Sequence, residues 1–359
     1  VSILGFVQRL GRAVLEALVR VVFWPGRAVP IEREQIRKVL VVRIDTRVGN
    51  LLLTTPLLRA LKSGLPEARI DLLLAAGKES LVAGLPFVDR VIAFRKQDFF
   101  VAPWKLWRLL RSLRAEHYDV AIEAGHFHAF SFTSSALARF SGARIRIGHR
   151  RGLSERFLTH AVEHLPAHVN DVEARLELLG PLSVAPGSVE LETRLGREGP
   201  KVLALLTEKL PKNRFVALNI GARKPDHRWE PERFGELAAR LKERGLVPLV
   251  LWGPGEQTLA EQVRTSSRDT AVIGPPTDLE ELAATFRVAS VVVANDTGPM
   301  HLANAVGARL VCCFLAEDAE RWAHPGENFI GVRVREVQDP VGEVERAVLK
   351  LLPPVVETA

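Results

Sequence analysis

The stretch Val291–Asn304, VVVANDTGPMHLAN, restricts the possible folds of this chain more than any other. Four apolar residues, Val291 to Ala294, run into a polar turn, Asn295-Asp296-Thr297-Gly298, and Pro299 suits the first turn of a helix carried on by His301, Leu302 and Ala305. This is a strand–turn–helix unit with its polar groups at the carboxyl end of the strand, the end where open α/β sheets bind ligands. Gly298 lets a ligand approach the backbone, and a helix start presents N–H groups to an anion. Asp296 and Thr297 add a carboxylate and a hydroxyl. The plainer alternative is that Asp296 or Thr297 merely caps the helix.

The same alternation recurs along the chain. Lys38–Ile44 (KVLVVRI) reads as a buried strand, Asp45-Thr46-Arg47-Val48-Gly49-Asn50 as a polar turn, and Leu51–Leu61 as a helix with Pro56 inside it. Strands follow at Ile70–Leu74, Val88–Phe94, Val120–Glu123 and Arg144–Ile147, with helical stretches between them, including Trp104–Arg114. Residues 180–200 are rich in Pro and Gly and mark a boundary. Beyond it come strands at Phe215–Asn219, Val247–Trp252, Ala271–Ile273 and Arg309–Phe314. Their helices are predicted at Pro231–Arg244, Glu256–Val263 and Asp278–Phe286, with a last one capped by Asp339-Pro340. The βαβα pattern predicts an α/β protein with two parallel sheets, over 38–180 and 200–352. Two such lobes would leave a cleft at their strand ends, lined by Asp45 to Asn50, Gly221–Arg228, Trp252–Glu256 and Asn295–His301.

With 359 residues, 47% of them hydrophobic, the chain can fill two cores. A net charge of +7 and an isoelectric point near 9.7 favour an anionic partner: a phosphorylated substrate, a membrane surface or nucleic acid. Nucleic acid is disfavoured, since no binding motif or stacking platform is visible. Cys312 and Cys313 are adjacent, so on a strand they point to opposite faces and offer neither a disulfide nor metal-ligand spacing. That suits a reduced, cytoplasmic setting.

Residues 1–30 stand apart. Arg9, Arg12, Glu16 and Arg20 form one polar stripe at helical spacing, surrounded by Phe6, Leu10, Val14, Leu18, Phe23 and Trp24, and Pro25-Gly26 ends the run. This predicts an amphipathic N-terminal helix lying on a membrane interface, against the alternative of a helix packed on the protein itself. Peripheral attachment at the anionic inner-membrane surface follows from the first reading.

Seven segments in order, VVRIDTRVGNLLLTTPLLRAL, YDVAIEAG, ARIRIGH, FVALNIGA, HRWEPERFGELAARL, LVLWGPGE and VVVANDTGPMHLANAVGARLV, resemble glycosyltransferase family 9, the ADP-heptose:lipopolysaccharide heptosyltransferases. The resemblance spans about 38–345, and its most specific piece is the Asp-Thr-Gly-Pro-x-His-Leu-Ala run at 296–303. It implies a GT-B fold: two Rossmann-like domains facing across a cleft, the first for the acceptor and the second for the nucleotide sugar. It also implies an inverting, metal-independent transfer of heptose from ADP-heptose to the lipopolysaccharide inner core, without a cofactor. Thr297 and Gly298 match phosphate-contacting positions, Asp296 a donor-sugar carboxylate, and Glu256 lies near a ribose-contacting acid. Gly221 and His301 fall in the same donor-binding turns. Such chemistry needs a base for the acceptor hydroxyl, and cations or N–H dipoles for the leaving diphosphate.

Three departures stand out. Asn50 occupies the place of the family's catalytic Asp, and an amide accepts no proton at neutral pH; it can still cap a helix or orient a hydroxyl. Asp45, in the same turn, is the substitute base, unless it only stabilises its own turn. His227 replaces the family's phosphate-binding Lys, with Arg228, Arg223 and Lys224 close by. Leu315-Ala316-Glu317-Asp318 stands in place of the family's Gly-Pro-Thr-Asp, which bears on the sugar identity. These leave two alternatives: a transferase using another nucleotide sugar, and a non-catalytic relative that binds a nucleotide sugar or glycan.

Arg144, Arg146, His149, Arg150, Arg151 and Arg156 form a basic stretch suited to acidic inner-core sugars, or else a solvated face. Arg144, Arg146 and Arg150 are the acceptor-binding candidates. His126 and His128 would share a face if they lay on a strand, as a metal pair does; a loop pair lining the cleft is the preferred reading. His160, His164 and His168 have helical spacing, interrupted by Pro166.

Overall fold

The computed structural model describes residues 21, 26–165, 170–197, 215–315 and 319–354. The expected N-terminal helix lies almost wholly outside these residues, as do His168 and residues 316–318. No helix among the described residues is long and apolar enough to cross a membrane.

Contacts divide the chain into two units. The first is Val1–Thr46 with Thr54–Val189; the second is Arg47–Leu53 with Glu190–Ala359. The chain therefore changes unit inside the Pro/Gly-rich stretch, and a seven-residue piece following the first strand packs with the second unit.

The first unit holds a six-stranded sheet, every pair parallel. Its strands are β1 (Lys38–Arg43), β2 (Arg69–Ala75), β3 (Arg90–Phe94), β4 (Val120–Glu123), β5 (Ile145–His149) and β6 (His160–Val162), in the order β3-β2-β1-β4-β5-β6. The second unit repeats this plan. β7 (Phe215–Asn219), β8 (Val247–Leu251), β9 (Val272–Ile273), β10 (Val291–Asn295), β11 (Leu310–Phe314) and β12 (Phe329–Arg333) are ordered β12-β11-β10-β7-β8-β9, again all parallel. Read from the first strand of each unit, the two orders are identical. Both are the doubly wound arrangement, whose order reverses between β1 and β4 in one unit and between β7 and β10 in the other.

The central strands are covered on both faces, which is why they read as unbroken apolar runs. In the second unit Val216, Leu218, Val291, Val293, Val311 and Cys313 pack with Phe234, Leu237 and Leu241 of the helix Pro231–Glu243 and Val344 and Val348 of the helix Pro340–Leu351. In the first, Leu40, Val42, Leu73 and Ala121 pack with Tyr118, Leu113 and Leu137. Helix starts follow the expected chemistry: Asp339 accepts from Gly342 N at 2.9 Å, and Asp278 and Glu281 form a reciprocal capping box.

The structure corrects several local readings. The helix expected over Leu51–Leu61 is two, Val48–Leu52 and Thr55–Gly64, because Pro56 belongs in the first turn of a new helix rather than inside an old one. Asn50 does not cap: Arg47 is the N-cap, and Asn50 is buried inside the short helix. His160 opens a strand, not a helix. The strands β6 and β12 were not legible. β6 has only three residues, and β12 carries Gly331, whose missing Cβ leaves room for Phe314.

Candidate active site

Each sheet gathers polar groups at its switch point. In the second unit, the last residue of β10, Asn295, is fully buried and joins it to the end of β7. Its Nδ2 donates to Ile220 O at 2.9 Å and Gly221 O at 3.4 Å, and its Oδ1 accepts the Trp229 N–H at 3.0 Å. Trp229 is itself buried, edge-on to Phe234 with ring centroids 5.0 Å apart. The loop between them, Gly221–Arg228, is thus tied down at both ends. Arg228 donates to Ala222 O at 2.5 Å, while the loop's Arg223 and Lys224 side chains are exposed.

Asp296 follows Asn295 and is nearly buried; its Oδ2 lies 3.6 Å from Nδ1 of His227, on that loop. Thr297 has extended backbone and starts the helix Gly298–Ala305, yet its hydroxyl makes no capping bond and instead donates to Asn295 O at 3.3 Å. Capping by Thr297 is therefore not what this turn is built for. Pro299 has no N–H, and Met300 N turns back to Thr297 O at 3.1 Å. Of the first-turn amides this leaves that of Gly298 without an intrahelical partner. Glu256 closes the other side: its Oε2 accepts Gly253 N at 2.8 Å, and its carboxylate lies so close to Gly221 that a Cβ there would overlap it. Glu256, Gly221, Asn295, Asp296 and His227 thus form one connected set.

The helix Val48–Leu52 packs against Gly298–Ala305. Gly49 faces the His301 imidazole so closely that a Cβ would overlap the ring, and on its other side His301 Nδ1 lies 2.9 Å from His324 Nε2. Burial pushes His324 down to about 4, so it is neutral at pH 7. Asn50, one residue on, is buried in the same helix.

In the first unit the ends of β1 and β4 carry buried charge. Arg43 donates to Ala124 O at 2.9 Å and lies 4.0 Å from Asp45 Oδ2. The same Asp45 oxygen is 3.2 Å from His126 Nε2. Behind His126, 4.0 Å from its Nδ1, is Asp171 Oδ1. Burial alone would raise the Asp171 carboxyl, but Arg175, His126 and Arg43 hold it well below the ordinary range. Glu123 and Arg151 form a second buried pair, and a side chain at Gly125 would overlap Glu123. Asp45 and Asn50 belong to different units.

His126 and His128 sit in a loop with ring centroids 5.2 Å apart, and His126 Nε2 lies 3.2 Å from Asp45 Oδ2. Among the described residues, the set close enough to share a metal is His149, His164 and Glu177. Here both imidazoles reach Glu177 Oε2 at 3.1 Å. His149 Nε2 also has the Ala174 carbonyl at 2.8 Å, which calls for a proton on that nitrogen instead of a lone pair. Burial and the charge of Arg151 push His149 down to about 4.

The basic stretch is divided. Arg146 spends its donors on Phe157 O and Ala143 O, both at 2.7 Å, and is half-buried, whereas Arg144 and Arg150 are exposed, Arg150 pairing with Glu155 and Glu163. Arg151 is committed to Glu123.

The sequence pattern of glycosyltransferase family 9 (heptosyltransferase) matches residues 106–349. The chain belongs to glycosyltransferase family 9. It is a glycosyltransferase, similar to lipopolysaccharide heptosyltransferase 3 of Escherichia coli (strain K12), 26% identical over 294 residues that make up 79% of this chain and 84% of the relative. It is also 27% identical to lipopolysaccharide heptosyltransferase 2 of Salmonella typhimurium (strain LT2) over 77% of this chain and 82% of that one. Among solved structures, the family 9 glycosyltransferase of Veillonella parvula superposes with a TM-score of 0.77 at 19% identity, covering 90% of this chain and 99% of the other. The E. coli heptosyltransferase WaaC with ADP gives 0.69 at 21%, covering 88% and 99%. These likenesses match the observed fold: two parallel α/β sheets of GT-B type.

Two residues missed from sequence share a signature: Arg43 and Glu123 each end an observed strand, where a buried charged residue is anomalous. His324, Asp171 and Arg175 have no such local signal.

Proposed function

We propose that this glycosyltransferase moves a heptose from ADP-heptose, with inversion, to the inner core of lipopolysaccharide. The observation that carries the donor assignment is the Asp296–Thr297–Gly298 turn at the second switch point, where a carboxylate, a hydroxyl and a helix-head amide with no intrahelical partner accompany His227. The Gly298 amide and helix dipole meet the diphosphate. Arg223 and Lys224, on the same loop as His227, supply the charge that balances the leaving group in place of a fixed Lys. Asp296 binds the sugar and Glu256, above Gly221, the ribose. His301, held between Gly49 and His324, supports the helix head. The names of the relatives, all heptosyltransferases, support the sugar and the acceptor class.

In this reading Asp45 is the general base. It takes the proton of the acceptor hydroxyl as the oxygen attacks the anomeric carbon and the ADP oxygen leaves, so charge passes from the carboxylate to the diphosphate. His126 orients the carboxylate, and Asp171 fixes His126 in turn. Asn50 replaces an ionisable group and serves only to hold the hydroxyl. Arg144 and Arg150 contact acidic groups of the acceptor. The enzyme works at the cytoplasmic face of the inner membrane, where a lipid-linked acceptor is presented.

Isothermal titration with ADP-heptose, together with a turnover assay on a deacylated core acceptor, tests this. Micromolar binding and transfer are expected. Tight binding of a different nucleotide sugar would reassign the donor. Binding without transfer would favour the non-catalytic alternative that Asn50 motivates.

A further inference from the structure

The helix Pro103–Ala115, PWKLWRLLRSLRA, has one face in the first unit's core and another turned to solvent. Leu113 is buried, and Leu106, Leu109 and Leu110 pack against Leu40, Val42, Leu73 and their neighbours. The outer face is unusual. Trp104 is 59% exposed and Trp107 61%, and Val101, just before the helix, is 69% exposed. Such indoles are expensive to leave in water, since each offers a large apolar area that elsewhere in this protein is covered, as at Trp229. The charge on the helix has one sign. Lys105, Arg108, Arg111 and Arg114 are all exposed, and the helix contains no acidic residue. The Arg111 guanidinium lies over the Trp107 ring, 5.3 Å from its centroid, so cation and indole present themselves together.

We infer that this face is a membrane-binding surface, on which Trp104 and Trp107 insert at the headgroup level of an anionic bilayer while Lys105, Arg108 and Arg111 engage lipid phosphates. Indoles favour the bilayer interface because one edge is apolar and the N–H stays wet. Basic side chains flanking them add attraction to an anionic leaflet that decays within a Debye length, so the two contributions separate by salt. A helix face with four basic side chains and no acid, carrying two tryptophans at i and i+3, is complementary to a continuous sheet of anionic headgroups. The inference does not depend on which sugar is transferred.

The full-length chain is mixed with vesicles of phosphatidylcholine containing phosphatidylglycerol and brominated acyl chains, and tryptophan fluorescence is followed with co-sedimentation. Wild-type protein is expected to show bromine quenching. In W104S/W107S the quenched fraction should fall sharply and the apparent affinity drop on the order of tenfold. K105Q/R108Q/R111Q should lose the part of binding that added salt abolishes, and vesicles of phosphatidylcholine alone should bind weakly. Because both tryptophans are exposed, W104S/W107S should melt like wild type and turn over a water-soluble acceptor normally, while transfer to a vesicle-embedded acceptor falls. Quenching and affinity unchanged in W104S/W107S would overturn the proposal even if residues 1–30 hold the protein on the vesicle. Loss of turnover on every acceptor in the wild-type enzyme would instead count against the transferase assignment alone.

Discussion

Asn295 Oδ1 accepts the backbone N–H of Trp229 at 3.0 Å, across 66 residues of chain. With the Nδ2 bond to Ile220 O, this one amide holds the turn that bears Asp296 against the loop that bears His227. Both partners are buried main-chain groups with no water to replace the lost bond. Asn295→Ala therefore leaves a donor and an acceptor unmet and should destabilise the protein by about 2–6 kcal/mol, at about 1–3 kcal/mol per unsatisfied group. Donor affinity should fall as His227 drifts from Asp296. Asn295→Asp keeps the acceptor for Trp229 but faces the Ile220 carbonyl with an oxygen, so it should be rescued only in part. Urea denaturation and donor titration on the two variants check this; wild-type stability in Asn295→Ala would show that the loop is held by other means.

The Asn295 link shows how far the sequence could be read. The motif VVVAND placed a strand end, a turn and a helix head correctly, because apolar run length, Gly298 and Pro299 are local signals. The identical order of the two sheets follows from repeated βα units in each half. What a polar residue at a strand end does is decided by its partner on another strand. Asn295 thus read as part of a binding turn, when it is the clamp beneath one. Asp45 is singled out in the sequence, yet its companions are His126, in a loop 81 residues away, and Asp171, at the head of a helix 126 residues away, distances at which spacing carries no information. The placement of Asn50 as a cap failed for a different reason. Helix starts at Asn are common, but here Val48 and Gly49 already belong to the helix, which packs on His301.

Gly49 and His301 make the second prediction. Gly49→Ala would drive a methyl into an imidazole that His324 holds from the other side, and overpacking of this kind costs about 1–3 kcal/mol. The helix Gly298–Ala305 should shift and donor binding weaken. The double variant G49A/H301A has room for the methyl and should recover stability relative to the sum of the single changes. A thermodynamic cycle reads the coupling; strictly additive effects would mean that the two residues do not press on each other.

Asp45→Asn removes the proposed base while keeping size and hydrogen-bonding capacity. kcat should drop by about 10²–10⁴, with donor affinity kept, since Asp45 belongs to the first unit and the donor turn to the second. His126→Ala should lower kcat less, and H126A combined with D45N should be no slower than D45N alone, as expected when one residue acts through the other. Asn50→Asp tests the competing position: a marked rise in kcat, surviving in a D45N background, would move the base from Asp45 to residue 50.

The buried histidines give stability a pH dependence of known sign. His324 and His149 titrate near 4 in the fold, against about 6.5 in an unfolded chain. Between those values the unfolded chain binds more protons, so acidification pulls the equilibrium toward it. Their full contribution is present above pH 6.5, is lost as pH falls, and stops changing near pH 4. Each residue adds a slope approaching about 1.4 kcal/mol per pH unit within that window. Glu116 acts lower down: hydrogen bonds from Arg69 and Arg90 depress it to about 2, so its contribution is lost as pH falls from the ordinary carboxyl value of 4.5 to about 2. His324→Asn retains a hydrogen-bonding neighbour for His301 but cannot titrate. Its melting temperature, measured from pH 7 down to pH 5, should fall less steeply than that of the wild type, with the remaining slope due chiefly to His149. Parallel melting curves for the two proteins would show that His324 takes up its proton without unfolding, through a local opening around the His301 pair.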